Sequence, residues 1–592
     1  MVDFRKLLPA LAIMALSVIA TVPANAQVGV FSCVANAGVP PLVRSEGITE
    51  LTGDLILNCQ GNAPVPIIAN IQIFLNTQIT SRILNTGTGA TEALLFLDDM
   101  IIPATSADGP AVPPTNFDVN NGYRRGQTVA ANPNSLVWLG VPVVPTASAN
   151  AFRTIRITNV RANASGVPGS GSLIPAQITA FISISAATSV PVNNPQQVVA
   201  FVQQGLTSAV TSQMLQQCFS QNTNLNAAGA NVGALRFTEG FATAFKPRLL
   251  PGQEDILGSS FNSESGTVIT GNPAGVADTA TRLRAHFTNV PAGVTVYVTT
   301  VNVATTGTGA TATATLVAGG SGAATASFPG TTVPGIGASP AFSQPSNWTP
   351  LAVSGGTAEA VWEITNAPSN LGGPNPFAIE TLHFGVLFSY TANPAANLPG
   401  LGITQVTQTF APISTVVVAS ATAPIPRFTP GDAAPRNLFT INACVTNLLF
   451  PFVTNTGGFD TGIAISNTSL DSPVFATSAQ TGNCTIHYFG TGPGGSAAPA
   501  AQTTTTPIAG GQVLVFTLFA GGSNGIQPTP GFQGYIIARC AFQYAHGFAF
   551  VSDLGASRLA MGYLALVIPD TGTRGANPFP VAGAGSGEQL GN

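Results

Sequence analysis

Few groups of residues in this chain have the type and spacing that catalysis requires. The segment Gly521-Gly522-Ser523-Asn524-Gly525 matches the G-x-S-x-G pattern of a serine hydrolase nucleophile. That nucleophile needs a strand before it and a helix after it, because the turn between them exposes the serine hydroxyl. Here Ile526-Gln527-Pro528-Thr529-Pro530 follows, which does not suit a helix. The pattern therefore favours a glycine-rich hairpin loop over a catalytic serine.

One of the four histidines differs from the others in its surroundings. Three occupy polar positions of alternating segments, where exposure is expected: His286, His383 and His487. The fourth, His546, shares its strand phase with four aromatic residues, Phe542, Tyr544, Phe548 and Phe550. We therefore expect His546 to point inward. Asp553 follows seven residues later and could form a hydrogen-bonded binding pair with it, while a satisfied core histidine is the alternative.

Patterns for metal and phosphate binding are weak. The chain has no H-E-x-x-H, Walker or C-x-x-C motif. Asp98-Asp99 could bind calcium, but more simply ends a strand, and residues 118–122 have too few ligands for a calcium loop. A modest basic strip could form from five arginines, which solvated strand faces explain as well: Arg124, Arg125, Arg153, Arg156 and Arg161. We therefore predict no catalytic residue, no cofactor and no metal site.

Charged residues are rare in the chain. Among 592 residues there are 19 Lys+Arg and 23 Asp+Glu, so 7% are charged, against about 25% in ordinary soluble domains. Short neutral polar residues, with 64 Gly and 46 Pro, take their place, and such a surface repels other copies little. The net charge of -4 provides no basic footprint for nucleic acid. Lys6 and Lys246 are the only lysines, which leaves few candidates for a lysine nucleophile.

Residues 1–26 have the features of a secretory signal peptide. Arg5 and Lys6 precede an apolar run from Leu7 to Ala20, and Ala24-Asn25-Ala26 is a small-residue cleavage site. A membrane anchor is the alternative, but the run is shorter than the ~20 residues that a span needs. We expect no transmembrane segment after cleavage, and a secreted or cell-surface protein.

Six cysteines follow the predicted signal: Cys33, Cys59, Cys218, Cys444, Cys484 and Cys540. An even number in an exported chain favours disulfides. Cys59, Cys484 and Cys540 share strand faces with apolar residues, so each should point into a core. We predict Cys33–Cys59 and Cys484–Cys540 bonds within domains. Elimination then leaves Cys218–Cys444, for which buried free thiols are the alternative.

Alternation of apolar and polar residues dominates the chain. Segments such as Ile178 to Ile184 and Leu382 to Tyr390 alternate with a period of two, separated by clusters of Gly, Pro, Asn and Thr. Residues 195–217 could form a strand or a helix. Many short strands at roughly ten-residue spacing are typical of sandwiches and jelly rolls. The predicted fold class is all-β, with tandem antiparallel β-sandwich domains that are immunoglobulin-like or jelly-roll-like.

Shifts in composition suggest three domains. We predict an N-terminal sandwich over residues 27–226 and a middle sandwich over 230–420, with a low-complexity loop or weak edge hairpin at 305–340. A proline-rich linker is expected at 421–436. A C-terminal sandwich over 437–569 then precedes a tail, 570–592, expected to be disordered.

Two blocks of sequence are familiar. The first runs from Val43 through Asp54 to Cys59 and continues with Leu75 to Arg82, and the second lies between Phe452 and Pro569. They resemble a family of large secreted all-β bacterial proteins of the acidobacterial type, for which no activity is established. The resemblance implies no catalytic residue.

These patterns favour a secreted or cell-surface structural or adhesive protein that acts by binding or self-assembly. The expected partners are other copies of the chain or an extracellular glycan. A carbohydrate-binding protein or secreted glycoside hydrolase is the alternative, because sandwiches commonly bind sugars on exposed aromatic rings. Trp348 is the one tryptophan in an evident loop and is the candidate for that contact. A hydrolase assembled from distant loops is a third possibility.

Overall fold

The computed structural model describes most of the chain between residues 31 and 568. The described ranges are 31–63, 65, 67–99, 123–144, 148–167, 175–217, 232–249, 262–268, 273–303, 312–319, 348–364, 374–390, 399–430, 434–442, 445–471, 474, 479–553 and 555–568. Their regular elements are β-strands and two short 3-10 turns, at Ala164–Gly166 and Pro493–Gly495. The all-β fold class is confirmed. None of the described helical residues forms a helix of the length and apolarity that crossing a membrane requires.

The first unit is built around one long sheet of twelve strands and a small pair. Its strands are β1 (Ser32–Ala37), β2 (Leu42–Arg44), β3 (Glu50–Leu51), β4 (Leu55–Ala63), β5 (Ile67–Leu75), β6 (Ile83–Asn85), β7 (Ala90–Leu97), β8 (Tyr123–Val129), β9 (Asn132–Val144), β10 (Ser148–Thr158), β11 (Arg161–Ala162), β12 (Ala176–Ala186), β13 (Val192–Asn193) and β14 (Gln196–Gln203).

The long sheet of the first unit folds over on itself. Its order is β13-β1-β4-β10-β7-β8-β9-β5-β12-β14-β2, with β6 beside β7, while β3 pairs with β11. On β5, alternate residues are buried, as the period of two requires. Inward residues from both ends of the sheet, such as Leu57 and Ile178, share one core. The fold-over thus gives the two layers of a sandwich.

The second unit is a sandwich of two sheets. Its strands are β15 (Leu206–Thr211), β16 (Gln213–Gln216), β17 (Val232–Glu239), β18 (Arg282–Thr288), β19 (Thr295–Thr299), β20 (Ala314–Gly319), β21 (Trp348–Pro350), β22 (Ala358–Ile364), β23 (Thr381–Ser389), β24 (Gly402–Ala411) and β25 (Arg436–Asn442). The orders are β15-β17-β23-β19-β21 and β16-β25-β24-β18-β22-β20. Both sheets contribute to one core, in which Trp362 stacks on Phe384.

The third unit is a smaller sandwich of two five-stranded sheets. Its strands are β26 (Thr446–Thr454), β27 (Asp460–Asn467), β28 (Cys484–Thr491), β29 (Gln502–Thr503), β30 (Val513–Thr517), β31 (Gly521–Gly522), β32 (Gln533–Cys540), β33 (Ala545–Ser552), β34 (Ala560–Leu564) and β35 (Leu566–Ile568). The orders are β29-β28-β32-β26-β35 and β31-β30-β27-β33-β34. A separate core lies between these two sheets.

Strand pairing differs from the predicted boundaries at three places. The ambiguous segment 195–217 is extended, and its later strands β15 and β16 pair with the second unit rather than the first. Strand β25 also belongs to the second unit, because it pairs with β24. The stretch 421–436 was expected to be a linker, yet Ile425 and Phe428 within it are fully buried. The apolar side chains between its prolines are buried. The free energy gained by this burial outweighs the tendency of a proline-rich segment to form an extended spacer.

Candidate functional site

The sheet β31-β30-β27-β33-β34 presents large apolar side chains to solvent. On β33, Ala545, Gly547 and Ala549 are buried, whereas Phe548 and Phe550 are 42% and 45% exposed. The inward position at residue 547 must be small, since a Cβ at Gly547 would lie 2.6 Å from the ring of Phe450 in the opposing sheet. The two phenylalanines therefore point outward.

Cross-strand registers align these residues into rows, which together we call the outer face. One row contains Val515, Ala464, Phe548 and Leu564, taken from β30, β27, β33 and β34. The next contains Thr517, Gly462, Phe550 and Gly562, and a third contains Val513, Ser466 and His546. None of these side chains is an acid, a lysine or an arginine. The outer face is thus an uncharged apolar surface across four strands.

The opposite sheet of the third unit has a different outward surface. Phe489 and Tyr535 lie opposite each other on β28 and β32, and their rings stack with centroids 4.9 Å apart. Along the same two strands His487 faces Ile537 and Thr485 faces Arg539. This surface combines an aromatic pair with polar groups, whereas the outer face is apolar.

Many of the charged residues lie inside the molecule, and one group of them lies where the first and second units meet. More than half of the charged side chains in the described residues are buried. The central one is Arg44, at the end of β2, whose side chain enters the second unit. Its guanidinium lies 2.7 Å from the Glu50 carboxylate and 2.8 Å from that of Glu264. It also lies over the Phe428 ring, 4.8 Å from the centroid.

Further hydrogen bonds hold this junction network together. The Arg44 Nη1 donates to Thr281 Oγ1 at 2.9 Å, and that hydroxyl donates to Glu264 Oε1 at 2.5 Å. Arg161 of the first unit donates to the Glu264 carbonyl at 2.8 Å and pairs with Glu92 at 3.0 Å. Buried charges are stable only when paired and hydrogen-bonded in this way.

The burial of the junction network shifts the pKa values of its members. Desolvation by itself lowers the pKa of Arg44, but the carboxylates of Glu264 and Glu50 outweigh it and raise that pKa. Burial raises the pKa of the Glu264 carboxyl, but Arg44 outweighs this effect and lowers that pKa. Burial lowers the pKa of Lys246, whose Nζ lies 3.7 Å from Glu50. Arg44 and Glu264 thus hold each other in their charged forms and join the two units, whereas burial acts against the charged form of Lys246.

Arg427 extends the junction into the proline-rich stretch. Its guanidinium donates to three carbonyls, those of Val416, Pro424 and Val418, at 2.8, 3.2 and 2.8 Å. Burial lowers the pKa of Arg427 to about 10. The neighbouring backbone joins the first unit, since the Ile48 N–H donates to the Arg427 carbonyl at 2.9 Å.

Comparison with known proteins gives structural similarities alone. No protein family and no curated protein matches the chain. A serine-rich repeat adhesion glycoprotein (Srr1) from Streptococcus agalactiae aligns over 68% of this chain and 96% of its own, with 9% identity and a TM-score of 0.17. The pilus backbone RrgB from Streptococcus pneumoniae aligns over 91% and 94%, with 8% identity and a TM-score of 0.15. At these TM-scores the similarities carry no argument about function.

The cysteines predicted to pair within domains are bonded. Cys33 is joined to Cys59, and Cys484 to Cys540. In each case the two residues lie directly opposite each other on neighbouring antiparallel strands, and their sulfurs are buried. Cys218 and Cys444 lie outside the described residues.

The residues predicted to bind ligands are not brought together. His546 faces outward with Phe548, so its predicted inward direction was wrong, because the small residues of β33 occupy the core side. Seven residues along a strand correspond to about 23 Å at ~3.3 Å per residue, so His546 and Asp553 do not pair. The Asp553 carboxylate instead accepts the backbone N–H groups of Gly555 and Ser557 in the turn after β33.

The tryptophans do not form an exposed sugar platform. Trp348 lies on strand β21 rather than in a loop and is half-buried. Its ring covers Gly385, where a Cβ would lie 2.6 Å from the tryptophan Cη2. Trp138 and Trp362 are fully buried. The exposed aromatic rings of the third unit belong to Phe and Tyr residues. The sequence prediction considered tryptophans alone and therefore did not include them.

The remaining sequence candidates have structural roles where they are described. Ser523 follows the short strand β31 in an exposed turn, and its hydroxyl lies 3.2 Å from Asn524 Oδ1. Asp98 and Asp99 end β7 and pair with Arg153 and Arg156, at 3.2 and 2.8 Å. In the expected basic strip Arg124, Arg125, Arg153 and Arg161 are buried rather than solvated. No group of three or more metal-ligating side chains occurs in the described residues. Residues 118–122 and the predicted signal and tail lie outside them.

The outer face and the junction network were both missed from sequence. The sequence does contain a pattern that indicates the outer face, since Phe548 and Phe550 alternate with Gly547 and Ala549. It contains no pattern that indicates the junction network, because Arg44 and Glu264 are separated by 220 residues.

Proposed function

We propose that this chain is an extracellular structural or adhesive protein that acts by binding, and that the outer face of the third unit is its contact surface. The observation that carries the proposal is the exposure of Phe548, Phe550, Val515 and Leu564 on one uncharged sheet face. Contiguous exposed apolar surface on a soluble protein marks an interaction site. The buried disulfides are consistent with an oxidising, extracellular compartment.

Adsorption of the full chain to apolar beads tests the contact surface. We expect Phe548→Ser/Phe550→Ser to reduce retention on octyl-agarose at least several-fold. The matched control is Phe152→Ser/Phe181→Ser, which removes two exposed phenylalanines of the first unit and should leave retention unchanged. Equal loss in both variants, or in neither, would refute the assignment of the contact to the outer face.

Fractionation of native cells tests the location. The proposal requires the protein in the medium or on the cell surface. Its recovery from the cytosol would refute the extracellular role.

A specific feature also favours glycan binding as a second candidate. The stacked pair Phe489 and Tyr535 lies on the other sheet of the third unit beside His487 and Arg539. Aromatic faces next to polar donors are suited to sugar rings. Retention on insoluble polysaccharides that is lost in Phe489→Ala/Tyr535→Ala, and kept in Phe548→Ser/Phe550→Ser, would favour this candidate over the apolar contact.

A further inference from the structure

Strand β34 is the open edge of the sheet that carries the outer face. It is the terminal strand and pairs with β33 on one side, and no described residue pairs with its other side. Natural edge strands are usually protected by a charge, a proline or a bulge. The sequence of β34, Ala560-Met561-Gly562-Tyr563-Leu564, has no charge and no proline. Its register with β33 also runs without a shift.

The side chains beside this edge are apolar and accessible. Met561 is 52% exposed and Leu564 is 62% exposed. The Phe548 ring leans over Gly562, where a Cβ would lie 2.6 Å from the ring. The apolar outer face therefore continues to the edge itself, where the exposed backbone N–H and C=O groups can pair with an added β-strand.

We propose that β34 pairs with β34 of a second copy, antiparallel, about a two-fold axis through Gly562. This inference rests on the proposed function, since it names the partner of the outer face. In that register the glycines of the two copies lie opposite each other, Ala560 faces the partner's Leu564, and Met561 faces the partner's Tyr563. The two sheets become one ten-stranded sheet whose apolar face is continuous across the axis.

Charge does not oppose this pairing. No acidic or basic side chain lies on β34. The nearest, Arg558, is four residues from the axis, so the two copies of it lie about 26 Å apart along the strands at ~3.3 Å per residue. That separation exceeds the Debye length of about 8 Å at physiological ionic strength. Five paired residues bury less surface area than the about 1,200–2,000 Å² that stable complexes bury. We therefore expect a weak association, whose extent rises with protein concentration over the range that can be measured.

Light scattering after size exclusion, over a concentration series of the full chain, tests the pairing. We expect the wild type to shift from the monomer mass towards twice that mass, and Met561→Lys/Leu564→Lys to remain a monomer throughout. The matched control is Val39→Lys/Leu139→Lys, which adds the same charges at exposed apolar positions of the first unit and should dimerise like the wild type. A monomeric wild type, or an edge variant that dimerises as the wild type does, overturns the proposal.

Two further variants separate the rival occupants of this edge. Val513→Lys/Val515→Lys charges the outer face on β30, away from β34, and should still dimerise. If it alone loses the dimer, the copies stack face to face and edge pairing is wrong. If the full chain is monomeric and a chain ending at Ile568 dimerises, residues 569–592 occupy the edge and the proposal is overturned.

The outcome is distinguishable from failure of the proposed function. A monomeric chain that still binds octyl-agarose through Phe548 and Phe550 would overturn the pairing alone. Loss of bead binding with the dimer intact would overturn the adhesive contact alone. Amide hydrogen exchange adds a direct readout, since protection of residues 560–564 should rise with protein concentration.

Discussion

The junction between the first and second units and the outer face of the third unit use opposite chemistry. At the junction, Arg44 and Glu264 are charged, paired and removed from solvent. On the outer face, Phe548 and Leu564 are apolar and remain exposed. In a chain with 7% charged residues, one group of buried charges is thus placed where two units must hold each other, whereas the outer face is neutral.

This difference also separates what each region contributes. A buried ion-pair network makes the relation of two units specific, because its members are stable only in one arrangement. An uncharged sheet face tolerates varied partners, since it offers area without fixed charges to match. The tryptophans make this contrast measurable, because Trp138, Trp348 and Trp362 all lie in the first two units.

Arg44→Met should cause the largest loss of stability. It leaves Glu50 and Glu264 buried without their main cationic partner, which costs about 3–5 kcal/mol. Tryptophan fluorescence in a denaturant titration should report the shift. The control Arg236→Met removes an exposed arginine of β17 and should change the midpoint little, and equal shifts in both variants would contradict the role of the network.

Removing the third unit's disulfide should act on that unit alone. The bond closes a separation of 56 residues, and its loss should cost about 2–4 kcal/mol. For Cys484→Ala/Cys540→Ala we expect the part of the near-ultraviolet tyrosine signal that comes from the third unit, which holds four of the seven tyrosines, to melt earlier while the tryptophan transition stays in place. Cys33→Ala/Cys59→Ala should do the reverse. Movement of both transitions in either variant would show that the third unit is coupled to the others.

Neighbouring residues of β33 should respond very differently to the same substitution. Gly547→Val inserts a side chain against the Phe450 ring, and overpacking of this kind costs about 1–3 kcal/mol. His546→Val changes a residue of the outer face. Its free energy of unfolding should stay within about 0.5 kcal/mol of the wild-type value. The thermal midpoint of the third unit checks both. A larger effect at residue 546 would reverse the assignment of the two faces.

The carboxyl of Glu239 should give a gradual dependence of stability on pH. Burial raises its pKa to about 8, although it accepts the N–H groups of Phe245 and Glu380 at 2.7 and 2.9 Å. Between the unfolded pKa of 4.5 and about 8 the native state binds more protons, so stability falls as pH rises, by at most about 1.4 kcal/mol per pH unit.

Glu239→Gln should flatten that dependence. The tryptophan midpoint of the wild type should fall between pH 5 and pH 8, and that of the variant should fall less. Parallel curves for the two proteins would show that another group is responsible.

Much of the fold could be predicted from the sequence by itself. Alternation along the chain indicated strands, and the phase of Cys59, Cys484 and Cys540 indicated inward cysteines, because successive side chains of a strand point to opposite faces. The short, neutral composition indicated a surface with little charge. These are local properties, which a chain carries before it folds.

Tertiary structure alone decided which face of β33 is buried and where the charges lie. A period of two separates His546 and Phe548 from Gly547 and Ala549, but does not say which set faces the core. The large Phe450 ring on the opposing sheet makes the small set fit inside. Arg44 and Glu264 likewise become a pair only when two units meet, since the stability of a buried charge depends on partners that lie far away in the sequence.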